Sequence, residues 1–216
     1  MRAVLVGCAG KMGQEILAAA KVGEIVAGVD VVGCLKIKTY GKIVDVEEKF
    51  DVIIDFSTCE DRGEIIDFAI KNNIFYCCFS TFLSEKDTKT LLEMQKQKRA
   101  VLCSNASLGI AAVINMIDDC GNLLGADVVV EEVHHKNKKD APSGTAKEIV
   151  SRLYDNGFDS QVVSIRAGAE FGTHVIKFFL EDEVVEIVHR ALSRKVFAKG
   201  ALEIARGMAD QKTSNC

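Results

Sequence analysis

The chain opens with Met1-Arg2-Ala3-Val4-Leu5-Val6-Gly7-Cys8-Ala9-Gly10-Lys11-Met12-Gly13, and this stretch decides the reading of the fold. Met1–Val6 is a short apolar run that ends at a glycine. Residues 11–21 then show helical spacing through Met12, Ile16, Leu17 and Ala20. Glycines between a strand and a helix permit a tight turn and let backbone N–H groups approach a pyrophosphate, whose charge the helix N-terminus favours. The spacing is G-x-x-G-x-x-G rather than the commoner G-x-G-x-x-G, and alone it also suits an ordinary strand–helix turn. Asp30 tips the reading. It ends a second apolar run, 25–30, and lies 17 residues after Gly13, where an acidic residue would meet the adenosine ribose hydroxyls. A dinucleotide site is expected here, with Gly7, Cys8, Ala9, Gly10, Lys11, Met12 and Asp30 against the nucleotide.

Working outward, strands are expected over 52–56, 74–79 and 100–103, with helices over about 60–71 and 84–98, the latter capped by Ser84. Such alternation predicts a parallel, doubly wound sheet. Further nucleotide contacts should come from its carboxyl ends, at Asp55-Phe56-Ser57, Phe79-Ser80-Thr81 and Ser104-Asn105. Each of those polar types is equally at home in caps and turns. Asp30 is followed by Val31 and Val32 with no adjacent arginine, which favours NADH; Lys36 or Lys38 leaves NADPH possible.

After Asn105 the pattern changes. A helix is expected over 109–124, a strand over 127–133, and a helix over 143–154 with Thr145 and Glu148 spaced as a capping box. Residues 173–180 and 184–190 read as an antiparallel hairpin, and 197–208 as a last helix. The fold class expected is α/β, a Rossmann-like doubly wound sheet followed by an α+β domain.

Length and charge narrow the function. The 216 residues suit one large domain or two small ones, and 27 basic against 31 acidic residues leave a net charge of −4. A general nucleic-acid binder would carry a basic excess. No apolar run approaches the roughly 20 residues that span a bilayer, and no secretory signal is read at the start. A soluble, cytoplasmic protein without nucleic-acid or membrane partners is expected. Of eight cysteines none forms C-x-x-C, and Cys77, Cys78 and Cys103 sit in apolar runs. They read as small buried hydrophobes, with no metal expected.

The stretch from Glu131 to Ala146, EEVHHKNKKDAPSGTA, carries the chemistry. Two histidines and three lysines fall within six residues of a net acidic chain, at a strand end. Ser143, Gly144 and Thr145 then begin a helix. Cations meeting a helix N-terminus form an anion pocket suited to carboxylate or phosphate. Lys136 and Lys139 read as solvated, and His174 and His189 as structural. His134, His135 and Lys138 offer groups that titrate near neutrality or can be tuned there.

With these residues in view, the chain resembles the 4-hydroxy-tetrahydrodipicolinate reductase (dihydrodipicolinate reductase) family. The resemblance is carried by GCAGKMG at 7–13, IIDFS at 53–57, SNASLG at 104–109, EEVHHKNKKDAPSGTA at 131–146, RAG at 166–168 and HRALSRKVFAKGA at 189–201. It spans nearly the whole chain. It implies a homotetramer with a nucleotide domain over 1–106 and 194–216 and a substrate-binding and tetramerisation domain over 107–193. It also implies reduction of a cyclic dicarboxylate imine in lysine and diaminopimelate synthesis, hydride going to ring C4. His134 would donate the proton, with Lys138 as second acid–base group. His135, Lys138, Ser143, Gly144 and Thr145 would hold the carboxylates. Phe79, Ser80 and Thr81, with Cys103, Ser104, Asn105 and Ala106, would complete the nucleotide site.

Three departures from the family pattern stand out. Phe79-Ser80-Thr81-Phe82 replaces G-T-T-G, Ala106 stands where an aromatic is usual, and the chain stops at Cys216 where relatives run on. Phenylalanine resists positive φ, so the backbone near the nicotinamide is expected to differ. Two alternatives stay open from the residues. One is a catalytically silent NADH-binding protein, the other a different Rossmann reductase such as an amino-acid dehydrogenase.

Overall fold

The chain folds into two sheets. The structure, a computed structural model, describes residues 1–59, 62–80 and 83–214, with 212–214 described only as helix. Thr81 and Phe82, both singled out above, lie outside the described residues, as does Cys216. Two compact units result, Met1–Ala106 with Phe197–Cys216, and Ser107–Val196.

In the first unit, β1 (Ala3–Val6), β2 (Ile25–Val29), β3 (Thr39–Tyr40), β4 (Val52–Asp55), β5 (Phe75–Cys78) and β6 (Ala100–Leu102) form a sheet in the order β3-β2-β1-β4-β5-β6. Every pairing in it is parallel. Helices α1 (Lys11–Ala19), α2 (Gly63–Lys71) and α3 (Glu85–Lys96) connect the strands. The pleat sends Ala3 and Leu5 to one face, where Ile16 and the last helix's Ala198, Ala201, Leu202 and Ala205 cover them. Val4 and Val6 face the other way, against Ile66, Ala69, Leu91 and Met94. Strands buried on both faces read as continuous apolar runs, which is why they were visible in the sequence. Strand order reverses between β1 and β4, and ligands of such sheets bind at the carboxyl ends beside that reversal. Ser84 caps α3 as expected, accepting the Asp87 N–H at 3.0 Å.

The second unit comprises α4 (Leu108–Asp118), a 3₁₀ turn at Asp119–Leu123, β7 (Asp127–His134), α5 (Gly144–Asp155), β8 (Ser160–Arg166), β9 (Thr173–Phe179) and β10 (Val184–Arg190). Its sheet runs β10-β9-β7-β8. The β9–β10 hairpin is antiparallel, β9 pairs antiparallel with β7, and β7 pairs parallel with β8. Val128, Val130, Ile176 and Phe178 pack under Val113, Ile117, Ile149 and Leu153.

Two expectations are corrected here. The sequence reading had no strand at 160–166, yet β7-α5-β8 is a crossover unit within this domain. The strand hides because its pattern is inverted. The inward positions of β8 include Ser160, Ser164 and Arg166, while Val163 and Ile165 point out, 46% and 41% exposed. The Thr145–Glu148 capping box is also replaced. Ser143 is the N-cap of α5, its hydroxyl accepting the Ala146 N–H at 3.2 Å, and Thr145 lies inside the helix. No helix among the described residues is long and apolar enough to cross a membrane.

Candidate active site

At the carboxyl ends of β1, β2 and β4 lies a cleft of about 700 Å³ whose lining includes Gly7, Ala9, Gly10, Asp30, Phe56 and Ser57. Gly7 has φ +80°, and a Cβ there would sit 2.9 Å from the Ser57 nitrogen. A Cβ on Gly13 would lie 2.3 Å from the Gly7 carbonyl oxygen, so only glycine lets α1 start this close to the turn. Asp30 Oδ2 accepts the Ala9 N–H at 2.9 Å and so holds the turn open. This glycine-lined cradle with an acidic rim fits a dinucleotide. The Cys8 side chain is fully buried, and its carbonyl accepts Gln14 Nε2 at 2.8 Å, so Cys8 braces the loop from behind. Met12 packs on the core, while Lys11 is exposed. Gly41, Lys42 and Ile43 also line the cleft and were not anticipated. They follow β3, a two-residue strand too short to show periodicity.

Of the remaining nucleotide candidates, Phe79, Ser80 and Cys103 to Ala106 lie at the ends of β5 and β6 and do not line this cleft. Phe79 stacks on Phe56, ring centroids 4.9 Å apart, and Ala106 is buried in the same core. Among the described residues, positive φ outside glycine occurs only at Asn73 and Lys98. Phe79 therefore takes ordinary backbone torsions.

Beneath these loops the sequence concealed a buried ion pair. Arg62, wholly buried, donates from Nε to Asp55 Oδ2 at 3.0 Å and from Nη2 to the Ser57 carbonyl at 2.8 Å and Ser80 Oγ at 2.6 Å. Tyr76 also donates its hydroxyl to Asp55 Oδ2. Burial first, and then the Asp55 charge, push the Tyr76 phenol well above its ordinary range. One arginine thus ties the loops after β4 and β5 together. Nothing in the local pattern distinguished Arg62 from a solvated helix residue.

In the second unit the polar groups gather at the end of β7. Residues two apart on a strand share a face, so Glu132 and His134 continue the inward row of Val128 and Val130. His134 Nδ1 lies in contact with Glu132 Oε2. Glu132 Oε1 accepts Arg166 Nη2 at 2.6 Å and the Ser143 N–H at 3.3 Å. Arg166 Nη2 also donates to the Asp140 carbonyl at 2.5 Å, and Asp140 Oδ1 lies 2.8 Å from Lys138 Nζ. His134, Lys138 and Ser143 are therefore joined in one network. Thr145 is buried two residues beyond Ser143, Gly144 starts α5, and His135 is half-buried with its N–H on the Glu170 carbonyl at 2.8 Å.

Two further histidines stack behind His134. His174 stands edge-on at 5.3 Å, and His189 lies 6.1 Å beyond it with Nε2 3.2 Å from Ser107 Oγ. Burial, with the neighbouring imidazoles, takes His174 down to about 3. Burial also lowers His134, which Glu132 opposes and Lys138 reinforces. Glu132, Arg166 and His174 were absent from the expected site. A polar E-x-H alternation on an otherwise apolar strand was the available signal for Glu132.

Chains of known kind match this one throughout. A family model described as dihydrodipicolinate reductase, N-terminus, matches residues 1–106, and its C-terminus counterpart matches 109–216. A protein of Caldanaerobacter subterraneus subsp. tengcongensis named 4-hydroxy-tetrahydrodipicolinate reductase is 35% identical, the match covering 98% of this chain and 94% of that one. A namesake from Thermosipho africanus is also 35% identical, over 99% of this chain and 94% of its own. Among solved structures, the dipicolinate-bound dihydrodipicolinate reductase of Paenisporosarcina superposes with a TM-score of 0.72 at 18% identity, covering 97% of this chain and 95% of that one. Myo-inositol 2-dehydrogenase of Lactobacillus plantarum gives 0.65 at 11%, over 97% and 88%, a likeness of fold alone. A glycine cradle for a pyridine nucleotide, and both family halves matched in order, lead to one conclusion: the chain belongs to the dihydrodipicolinate reductase family of oxidoreductases.

Proposed function

We propose that this protein is an NADH-preferring 4-hydroxy-tetrahydrodipicolinate reductase of lysine and diaminopimelate synthesis, working in the cytoplasm, with His134 and Lys138 as its acid–base pair. The observation that carries the reading is the Glu132–Arg166–Asp140 network, which joins His134, Lys138 and the start of α5 in one polar cluster. A doubly anionic ring suits such a cluster. Lys138 and His135 attract its carboxylates, and Ser143, Gly144 and Thr145 present the N-terminus of α5 to them. Dihydronicotinamide, when bound, would supply the hydride for ring C4. His134, when protonated, stabilises the charge that develops in the ring and donates the proton, while Lys138 orients the dianion.

The nucleotide would be held by Gly7, Ala9, Gly10, Lys11, Met12 and Asp30, with Cys8 behind them and Ser80 and 103–106 at later strand ends. Preference for NADH rests on Asp30 and on the lysines. Lys38 is engaged by Glu47 at 2.7 Å and Glu48 at 3.4 Å, and Lys42, which lines the cleft, pairs with Glu64 at 3.8 Å. NADPH remains the second substrate to assay.

A homotetramer fits the outer face of the second sheet, where Val163, Ile165, Phe179, Val184 and Val188 are each 40–56% exposed. Such an apolar surface calls for a cover. Cys8, Cys34, Cys77, Cys78 and Cys120 are free thiols, which suits a reducing compartment.

The test is titration with pyridine-2,6-dicarboxylate, a planar dianion. It should inhibit NADH oxidation competitively against freshly made product of the preceding synthase. NADH binding without turnover or dicarboxylate binding would instead identify a silent nucleotide-binding protein. Turnover of amino acids unaffected by the dicarboxylate would identify another Rossmann reductase.

A further inference from the structure

We propose that Glu132 is a positioning residue for the proton donor, holding His134 with Nδ1 against its carboxylate so that Nε2 is the nitrogen that delivers the proton. This rests on the reading of His134 as the donor. The strand pattern makes Glu132 conspicuous, since the alternation of β7 reserves its position for an apolar side chain and Glu132 is wholly buried there. A buried carboxylate is costly unless its oxygens are satisfied.

Its two oxygens divide the work. Oε1 takes the structural bonds, from Arg166 on β8 and from the Ser143 N–H ahead of α5. Oε2 and His134 Nδ1 are both buried, neither makes a conventional hydrogen bond among the described residues, and they lie in contact with each other. Burial alone would raise the Glu132 carboxyl, but Arg166, Ser164 and His134 outweigh it and bring it to about 2. The carboxylate is therefore ionised wherever the enzyme works.

The other ring nitrogen lies beside Gly172. A Cβ on Gly172 would lie 3.0 Å from His134 Nε2, so only glycine leaves that nitrogen room. The charged and titratable groups around the ring are Glu132 on its own strand, Lys138 on the following loop, Arg166 on β8 and His174 on β9, with His189 of β10 behind. Lys138 and Arg166 disfavour the imidazolium, and Glu132 is the group that sustains it. Glu132, His134 and His174 also carry ligand-capable atoms within 4.8 Å of one another. Arg166 already neutralises the carboxylate there, which weakens its hold on a divalent cation. A carboxylate on one ring nitrogen fixes the tautomer and orientation of the other.

The experiment is Glu132→Gln, made alone and in a His134→Gln background. With His134 present, kcat should fall roughly 10–100-fold, part of what a positioned acid contributes. NADH affinity and substrate KM should stay within about threefold, and the ionisation seen in kcat/KM should move to lower pH. In the His134→Gln background the change should cost nearly nothing more. An equal loss in both backgrounds, or a rise in KM alone, would make Glu132 merely structural. Nitrogen-15 spectra of the wild-type histidines give a readout free of folding defects and of turnover. A neutral His134 protonated on Nδ1 is expected, and one protonated on Nε2 would overturn the proposal. Full activity of His134→Gln alone would instead remove the donor reading, leaving the spectra to decide the role of Glu132.

Discussion

Asp30 Oδ2 accepts the Ala9 N–H at 2.9 Å, so the acidic end of β2 is bonded directly to the glycine turn that follows β1. Its other oxygen accepts the Val32 N–H at 3.0 Å, and the side chain still lines the cleft. One carboxylate therefore shapes the turn and places negative charge where the adenosine ribose would lie. Asp30→Ala should weaken NADH binding about 10–100-fold, the usual loss for charge-assisted hydrogen bonds, and should narrow the gap to NADPH. Calorimetric titration with both nucleotides checks this. An unchanged ratio of the two affinities would remove Asp30 as the source of preference.

Arg62 and Asp55 are both without solvent exposure, 3.0 Å apart. Removing one partner of such a pair leaves a buried charge uncompensated and typically costs about 3–5 kcal/mol. Arg62→Met should lower the urea midpoint accordingly and, by releasing Ser57 and Ser80, weaken nucleotide binding as well. A loss below about 1 kcal/mol would mean that water reaches Asp55.

The buried histidines make the second unit sensitive to acid. The folded value of His174, about 3, lies below its ordinary 6.5, so between those values the unfolded chain holds the extra proton. The stability that comes from keeping the ring neutral is complete above about pH 6.5 and drains away as pH falls, at about 1.4 kcal/mol per unit. Burial shifts His134 and His189 the same way. Denaturant unfolding from pH 7.5 to 5 should therefore show falling stability, with a shallower fall in His174→Leu. Identical slopes in the two proteins would contradict the shift.

Much of this was legible because the deciding signals are local. Gly7, Gly13 and Asp30 announce the first sheet's ligand end through backbone need and spacing, and β1, β4 and β5 show as unbroken apolar runs. What escaped depends on pairing across the chain. β8 is inverted in polarity because Ser164 and Arg166 face inward, where Arg166 meets Glu132 from 34 residues away. Arg62 reaches Ser80 across 18 residues, and no local pattern distinguishes that arginine from a solvated one. The cap of α5 shifted to Ser143 for a similar reason, its N–H being fixed by Glu132.

The most direct test compares His134→Gln and Lys138→Met with the wild type in NADH oxidation, using freshly made product of the preceding synthase, alongside NADH affinity by calorimetry. Each substitution should lower kcat by about 100-fold or more while NADH affinity stays within about threefold, as expected for groups that act on the ring and not on the nucleotide. Wild-type turnover in either variant, or a parallel collapse of NADH binding in both, would contradict the assignment of His134 and Lys138 to the chemistry.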